Sequence, residues 1–352
     1  MAVYVYAGAA PVVVKGGGGA SGGLFRMDVN GGEWRELSAG LPNNVEARAI
    51  SIAPSDPNTV YVGTQAGPYR SADAGDSWEA MPLPGNEKLV WSILIHPTDP
   101  KTLYVGTQGT TMYRSRDGGA SWKEITPPEP AGMVKMGFPC RVIRLSLDPT
   151  NPDHLWSALE VGGLLRSRDG GDSWESCNAG LLKFTDDPRL RSKIVSDTET
   201  EGMMDSHAMA VSAVEPDTVF LANRMGLFRS GDGGMAWDEM GIAKFSPLTY
   251  ARDVRVSAHD PKRMYAALSV AAICDEGSLY RSEDLGATWK RFDHGVSIDS
   301  TLMTVAESAA TPDRVWCAAR RGQVFGTQDG GKTWNQYMLP PKGAGVYALA
   351  VG

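Results

Sequence analysis

The octet SADAGDSW, residues Ser71–Trp78, is the most informative feature of the sequence because it recurs along almost the whole chain. Five further copies of the pattern Ser/Thr-x-Asp-x-Gly-x-x-Trp begin at Ser115, Ser167, Ser230, Ser282 and Thr327. A seventh copy has lost its Ser and its Asp but keeps Gly31 and Trp34. Successive tryptophans of the seven copies are 44, 44, 52, 63, 52 and 45 residues apart. A period of this length is typical of one propeller blade.

The residue types of this octet predict a tight β-hairpin. A short β-rich run such as Met112–Arg114 precedes the octet, and a second run follows it. In the turn, the Asp side chain can accept backbone N–H groups and the Gly supplies a positive φ angle. The terminal Trp is expected to pack between neighbouring units. The octet is therefore interpreted as a structural turn.

Each octet is preceded by an apolar strand, a proline-containing turn and a second strand, as in ARAISIAPSDPNTVYVGT at positions 47–64. Each unit thus contains four strands, A to D, with the octet joining C to D. The segment 345–351 has the pattern of a strand A without partners, and the segment 2–6 that of a strand B. Pairing them would close a seventh blade from residues 1–37 and 344–352 and leave no free sheet edge. The sequence predicts an all-β fold, a single seven-bladed β-propeller of four-stranded blades over residues 1–352.

The octet resembles the Asp-box, or BNR repeat, found in propellers of sialidases, xyloglucan-degrading glycosidases, sortilin and photosystem II assembly factors. The resemblance implies that the octets lie on C–D hairpins away from the ligand-binding face, and it implies no single activity. The chain lacks the Phe/Tyr-Arg-Ile-Pro motif expected of a sialidase. Its layout most resembles the assembly-factor or sialidase-like branch, in which scaffolding is common.

Composition excludes several function classes. The net charge of −7 and the pI near 5.4 argue against a general nucleic-acid binder. No apolar run approaches the roughly 18–20 residues of a membrane span. The N-terminus has no basic residue before its apolar stretch, unlike a secretory signal, so a cytoplasmic location is expected. The four cysteines form no CxxC pair, which argues against a disulfide framework or a structural zinc site.

Propeller ligands usually bind at the mouth of the central channel, which the D–A and B–C loops surround. Counting nine residues back from the A–B turn prolines reaches one equivalent position in five A strands. That position holds Arg48, Trp91, Ile143, His207 and Arg252. Other polar residues expected on this face are Glu46, Arg141, Arg144, Asp205, Arg224, Asp253, His294, Arg320 and Arg321.

So many arginines on one face of an acidic protein suit a ligand with carboxylate or phosphate groups, which arginine grips bidentately. The sequence therefore predicts that the mouth binds an anionic small molecule or a carbohydrate. The residues predicted to contact it are Arg48, Trp91, Arg141, Arg144, Arg224, Arg252 and His294. The alternative is that the arginines pair with Glu46, Asp205 and Asp253 and only hold the blades together.

His207 has three interpretations. It can act as a general base oriented by Asp205 or Asp253, which predicts a glycosidase-like hydrolase or a lyase. It can bind a divalent metal with Asp205, Glu276 and His294, because Asp-x-His on a strand places both side chains on one face. It can also belong to an ordinary polar rim. No cofactor is required by the sequence, and the alternative function is a non-catalytic scaffold that docks a protein partner on the same face.

Three insertions are predicted to cover the mouth. Two are enlarged D–A loops at positions 127–139 and 184–204, and the third is a B–C loop at positions 271–277. Loops of this length in a compact domain are usually functional or disordered. Because this loop lies outside the repeat, deleting its tip between Lys183 and Met204 is expected to leave the propeller folded, whereas Met203 and Met204 are expected to fill gaps in the packing.

Overall fold

A computed structural model describes residues 3–13, 19–85, 88–130, 132–192 and 198–352. Residues 1, 2 and 14–18 of the predicted seventh blade lie outside this range. The described residues form seven antiparallel sheets of four strands each. The first strand of each sheet packs against the first strand of the next, and the last sheet packs against the first, so the ring is closed. The seven-bladed β-propeller is confirmed.

In blades I to VI the four strands follow one another along the chain. Blade I contains Ala49–Ala53, Asp56–Thr64, Gly67–Ser71 and Glu79–Ala80. Blade II contains Val90–Ile95, Leu103–Thr107, Met112–Ser115 and Lys123–Glu124. Blade III contains Val142–Leu147, Leu155–Leu159, Gly163–Ser167 and Glu175–Ser176.

The next three blades repeat this order. Blade IV contains Ser206–Val211, Val219–Asn223, Gly226–Ser230 and Asp238–Glu239. Blade V contains Tyr250–Val256, Met264–Ser269, Gly277–Ser282 and Lys290–Arg291. Blade VI contains Leu302–Glu307, Val315–Ala319, Gln323–Thr327 and Asn335–Met338.

Blade VII is built from both ends of the chain, as expected. Its strand A is Val346–Val351, and this C-terminal strand pairs with the N-terminal strand Tyr4–Ala9. Strands C and D are Gly23–Asp28 and Arg35–Glu36. A short hairpin of Val12–Val13 and Gly19–Ala20 extends from this blade.

The Asp-box turns have the predicted hydrogen bonds. In blade I, Asp73 accepts the backbone N–H of Ser77 at 2.9 Å, and Ser71 Oγ accepts the N–H of Gly75 at 2.7 Å. Gly75 has a φ of 97°. A Cβ atom at Gly75 would also lie only 2.9 Å from Leu37 Cδ1 of the preceding blade. The glycine thus permits both the turn and the close packing of two blades.

A strand-C arginine links several blades to the next Asp-box, which the sequence alone did not indicate. Arg114 of blade II donates to the carbonyl of Gly170 in blade III at 2.6 Å, and Arg166 of blade III donates to that of Asp232 at 2.8 Å. These bonds join the blades on the face opposite the channel mouth.

The described part of the chain contains two α-helices, Asn178–Leu182 and Glu199–Met204, and two 3₁₀ helices, Ile242–Lys244 and Pro341–Gly343. Met203 and Met204 are fully buried in the apolar cluster between blades III and IV. The two methionines thus fill a gap in the packing, as expected. No helix within the described residues is long and apolar enough to cross a membrane.

Candidate functional site

A β-bulge at the start of every strand A builds the channel mouth. In blade II, Val90 pairs with Thr107 and Ser92 pairs with Gly106, so that Trp91 is the extra residue. Equivalent shifts occur in blades III to VII. In blade I, Arg48 and Ala49 both lie opposite Gly63. Because bulges re-aim side chains and often lie beside functional sites, one side chain per blade turns towards the channel.

We call these seven bulge residues the mouth ring. They are, in blade order, Arg48, Trp91, Ile143, His207, Arg252, Met303 and Tyr347. All seven line one cavity of about 680 Å³ that runs down the channel. The five residues that the sequence placed at this position are therefore brought together, with Met303 and Tyr347 completing the ring.

Three arginines converge inside the channel, and we call Arg144, Arg252 and Arg255 the channel arginines. Arg144 of blade III reaches past blade IV to Asp253 of blade V, with Nη2 3.5 Å from Oδ1. Arg255 Nε donates to the same oxygen at 3.0 Å. Burial, reinforced by repulsion from Arg255, lowers the pKa of Arg144 to about 10, so this arginine is charged at neutral pH.

Arg252 differs from its neighbours because no carboxylate oxygen of the described residues lies within 4.0 Å of its guanidinium group. Asp205 and Glu160 act on it from further away, and each of them is already paired with another arginine. Together with Tyr250 and Tyr347 they raise the pKa of Arg252 despite its burial. Arg252 is thus a charged group on the cavity wall that has Tyr250 as a hydrogen-bonding neighbour but no ion pair among the described residues.

The opposite side of the mouth carries stacked guanidinium and aromatic groups. Arg48 of blade I lies over the Trp91 ring at 4.7 Å, and Arg141, which precedes blade III, lies over it at 4.5 Å. The indole of Trp91 therefore lies between two cations, each in a favourable cation–π position. Its ring nitrogen and Nε of both arginines are buried without hydrogen-bond partners.

The stacking continues in both directions. Arg141 also lies over Phe138 at 5.0 Å, Arg48 lies over Tyr347 at 5.2 Å, and Arg320 of blade VI lies over Tyr347 at 6.0 Å. We call this alternating row the ladder. Its members are Phe138, Arg141, Trp91, Arg48, Tyr347 and Arg320.

Glu160, on the B–C loop of blade III, is a candidate residue that the sequence analysis missed. Its Oε1 accepts Arg141 Nη1 at 2.7 Å, whereas its Oε2 is buried without a partner. Burial raises the pKa of Glu160 to about 7, with Asp205 adding to the effect and Arg141 opposing it. The signal available in the sequence was a lone glutamate in a loop of the ligand face, which does not reveal burial.

His207 is buried and fully engaged by the protein. Its Nδ1 is 2.7 Å from the carbonyl of Ala251, which can only accept, so Nδ1 carries a proton. Its Nε2 is 3.2 Å from the hydroxyl of Tyr250 and 3.3 Å from Asp205. Burial lowers the pKa of His207, and the Arg252 charge acts in the same direction. This arrangement leaves no ring nitrogen free to take a proton from a ligand.

The two aspartates assigned to orient His207 have different environments. Asp205 contacts His207, but it also binds Arg224 Nη2 at 2.8 Å, and Arg224 binds Glu201 as well. Asp253 does not contact His207. It accepts Thr304 Oγ1 at 2.9 Å and the N–H of Val305 in blade VI, which joins two blades.

Several other predicted site residues do not reach the cavity. Arg224 is occupied by its two carboxylates and does not line the channel. Arg141 lies in the ladder above the cavity wall, paired with Glu160. Arg48 is paired with Glu46 at 2.7 Å but still lines the cavity. The alternative in which arginines pair with acids thus describes part of the mouth, whereas Arg252 forms no such pair among the described residues.

The metal hypothesis is wrong for the four residues that the sequence suggested. No group of three or more His, Cys, Asp or Glu side chains in the described ranges could hold a metal ion. Asp205 and His207 are buried in blade IV, whereas His294 is exposed in the turn that follows blade V. Glu276 lines a separate cavity at the outer side of blade V.

Two of the inserted loops lie beside the mouth. The loop 127–139 packs Met133 and Met136 against blade III and contributes Phe138 to the ladder. The loop 271–277 contacts blade VI, where Asp275 pairs with Arg321 at 2.5 Å and the carbonyl of Ala272 accepts Arg320.

Comparison with known proteins identifies the repeat type. The profile of the family described as Sortilin-Vps10 (sortilin, neurotensin receptor 3) matches residues 66–220, fewer than half of the 352 residues. No curated protein matches the sequence. The chain is an Asp-box, or BNR-type, seven-bladed β-propeller.

Solved structures share this fold at low sequence identity. The GH74 xyloglucanase from Xanthomonas campestris has a TM-score of 0.66 and 16% identity, and the match covers 100% of this chain and 52% of that one. An ancestral GH74 enzyme gives 0.62 and 16%, covering 86% of this chain and 39% of the enzyme. A structure of YCF48 bound to D1 peptide gives 0.53 and 18%, with 84% and 83% covered. This chain spans about half or less of these two GH74 enzymes, and at such identities the likeness shows the fold alone.

Proposed function

We propose that this propeller binds an anionic ligand at the mouth of its channel, with Arg252 as the principal contact. One observation carries the proposal: the Arg252 guanidinium lines a large cavity and has no carboxylate within 4.0 Å among the described residues. Arg252 is half-buried, and a charge partly withdrawn from water is costly unless it is paired, so a ligand carboxylate or phosphate is a suitable partner. The other channel arginines add to the positive potential.

A neutral sugar fits the site less well. Carbohydrate sites commonly offer an aromatic face, but the indole of Trp91 lies between the guanidinium groups of Arg48 and Arg141. Those groups would have to leave before a sugar ring could stack there. The anionic part of the ligand is therefore the part that the mouth selects.

The proposal is tested by titrating the folded protein with sodium sulfate and sodium acetate at constant ionic strength in a calorimeter. We expect saturable binding, weakened by about 10- to 100-fold in Arg252→Gln, because a charge-assisted hydrogen bond contributes about 1.5–3 kcal/mol. Arg35→Gln removes the same charge from an exposed residue of blade VII and should leave the affinity unchanged. Equal affinities of the two variants would refute the role of Arg252.

Hydrolase chemistry would need a group that exchanges a proton with the bound ligand. His207 is poorly suited, because both of its ring nitrogens contact protein atoms. Glu160 has a pKa raised by burial to about 7, but its unpaired Oε2 is buried and the residue does not line the channel cavity. The described residues therefore support anion binding more strongly than hydrolysis.

A second candidate function is docking of an acidic protein segment on the ladder. Trp, Tyr and Arg are the residue types that dominate the binding energy of protein interfaces, and the ladder is composed almost entirely of them. Binding of a fluorescent oligoglutamate peptide would test this function. Trp91→Ala should weaken binding about tenfold while sulfate affinity stays within about twofold, because the indole holds both arginines in place. A peptide that bound Trp91→Ala and wild-type protein equally would argue against the ladder.

A further inference from the structure

The channel arginines have few ion-pair partners. Arg144 and Arg255 share the single carboxylate of Asp253, and Arg252 lies outside its reach. Asp253 also accepts the hydroxyl of Thr304 and the N–H of Val305. Glu307 lines the same cavity, but it accepts hydrogen bonds from Ser257, Ala258 and Tyr265 and forms no ion pair with the described arginines. Three guanidinium groups therefore have one carboxylate within ion-pair distance among the described residues.

We propose that the anion bound here is a dianionic tetrahedral oxyanion, a phosphate or sulfate group, held below the mouth ring by Arg144, Arg252 and Arg255. The inference rests on the proposed function and narrows its ligand class. A phosphate monoester carries about −1.5 to −2 charges at pH 7 and can therefore pair with more than one of these guanidinium groups, whereas a carboxylate carries one charge.

The directions of the three side chains favour a tetrahedral group. Arg144 comes from blade III, whereas Arg252 and Arg255 come from blade V, three residues apart along one strand and therefore about 10 Å apart at their Cα atoms. Their donors approach from two sides of the channel and from different heights. A planar carboxylate aligns with one guanidinium plane, whereas a tetrahedral oxyanion directs oxygens towards several donors at once.

The channel also offers space and free donors at this level. The three arginines line the same cavity, and nearby wall positions carry small side chains, among them Ser146, Ala210, Ala306 and Ala350. Nε of Arg144 is buried without a partner, and Nη2 makes only a long contact of 3.5 Å to Asp253. A bound oxyanion would accept a hydrogen bond from Arg144 Nε. It would also bring a negative charge closer to this guanidinium group than Asp253 is.

The experiment ranks four probes on wild-type protein by calorimetry at pH 7.5 and constant ionic strength: sodium sulfate, glycerol 2-phosphate, malonate and acetate. We expect sulfate and glycerol 2-phosphate to bind at least about tenfold more tightly than acetate, and malonate to bind more weakly than sulfate. If sulfate binds and glycerol 2-phosphate does not, the proposal is supported with the free inorganic ion as the ligand. Malonate as tight as sulfate would overturn the tetrahedral preference.

Two variants separate this inference from the proposed function. Arg255→Gln should remove the preference for sulfate over acetate, while acetate affinity stays within about twofold because Arg252 is intact. Arg144→Gln provides the same test from blade III in case the first variant does not fold. If acetate and sulfate bind wild-type protein equally, the dianion inference fails and the anion site stands. If no anion binds, both fail.

Discussion

The Asp-box turns and the mouth ring occupy repeated positions in the same blades, yet their residue types behave differently. Six turns keep both the Asp and the Gly, because the turn needs a carboxylate acceptor and a positive φ. The mouth ring contains arginine, tryptophan, isoleucine, histidine, methionine and tyrosine. A β-bulge is defined by backbone pairing and sets no such requirement. The same residue type in every blade therefore indicates a structural role, as in the Asp-box turns. Different residue types on the same backbone geometry, as in the mouth ring, indicate positions that are free to take on a specific function.

The largest expected effect is a loss of stability in an Asp-box. In Gly331→Ala the new Cβ would lie 2.3 Å from Cε2 of Phe292 in the preceding blade, at a φ of 89°. We expect the free energy of unfolding to fall by about 3 kcal/mol, from the left-handed backbone and the overpacking together. Urea unfolding measures this value. Ile143→Ala in the mouth ring is the control, with an expected loss of about 1 kcal/mol. Comparable losses at both positions would contradict the division between the two regions.

The next effect concerns the mouth ring and should appear in binding alone. In Arg252→Lys the charge is kept but the planar fork is lost, so sulfate affinity should fall about tenfold. The melting temperature should stay that of wild-type protein, because Arg252 has no ion pair to lose among the described residues. A lower melting temperature with unchanged sulfate affinity would show that Arg252 stabilises the fold and does not bind the anion.

A smaller loss is expected where an Asp-box aspartate is removed. Asp169 accepts the N–H of Ser173 at 2.8 Å, and Asp169→Ala should cost about 1 kcal/mol because the turn is open to water. Hydrogen bonds from the side chain and the backbone of Ser173 lower the pKa of Asp169 to about 2. Its contribution is therefore present above the unfolded pKa of about 4 and is lost as the pH falls towards 2. If Asp169→Ala instead lost anion binding at an unchanged melting temperature, the Asp-boxes would have to lie on the face of the channel mouth.

The smallest effect is a pH dependence at the mouth. Protonation of Glu160 as the pH falls through about 7 removes a negative charge beside Arg141, so sulfate affinity should rise a few-fold. Sulfate keeps its own charge over this range. Glu160→Gln should show the higher affinity at every pH, whereas His207→Gln should keep the wild-type profile. If His207→Gln instead abolished the pH dependence of sulfate affinity, the proton uptake would have to be assigned to His207.

Much of the mouth could be predicted because it follows from the repeat. Counting from the turn prolines placed Arg48, Trp91, Ile143, His207 and Arg252 at one position, and the structure brings them to one cavity. Their partners could not be fixed in the same way. Asp253 was expected either to orient His207 or to pair with an arginine, and it pairs with Arg255 and contacts blade VI, because an aspartate on a strand can face either neighbouring blade.

The burial of individual side chains was equally hidden. Met203 and Met204 were expected to fill gaps in the packing, but only the structure shows that the gap lies between blades III and IV. Glu160 is an ordinary loop glutamate in sequence, and only the surrounding blades exclude water from its Oε2. Burial of this kind depends on elements far apart in the chain.

The blades, their number, the closure by both chain ends and the position of the mouth ring could all be inferred from the sequence. These features depend on local hydrogen bonds and on a repeat period, which short stretches of residues specify. Which arginines form ion pairs and which do not became clear only from the folded structure. Arg144 and Asp253 are 109 residues apart and meet across a closed ring, so their contact depends on the exact curvature of seven packed sheets. A long charged side chain can reach past a neighbouring blade. The residues next to it in the sequence therefore do not show which partner it contacts.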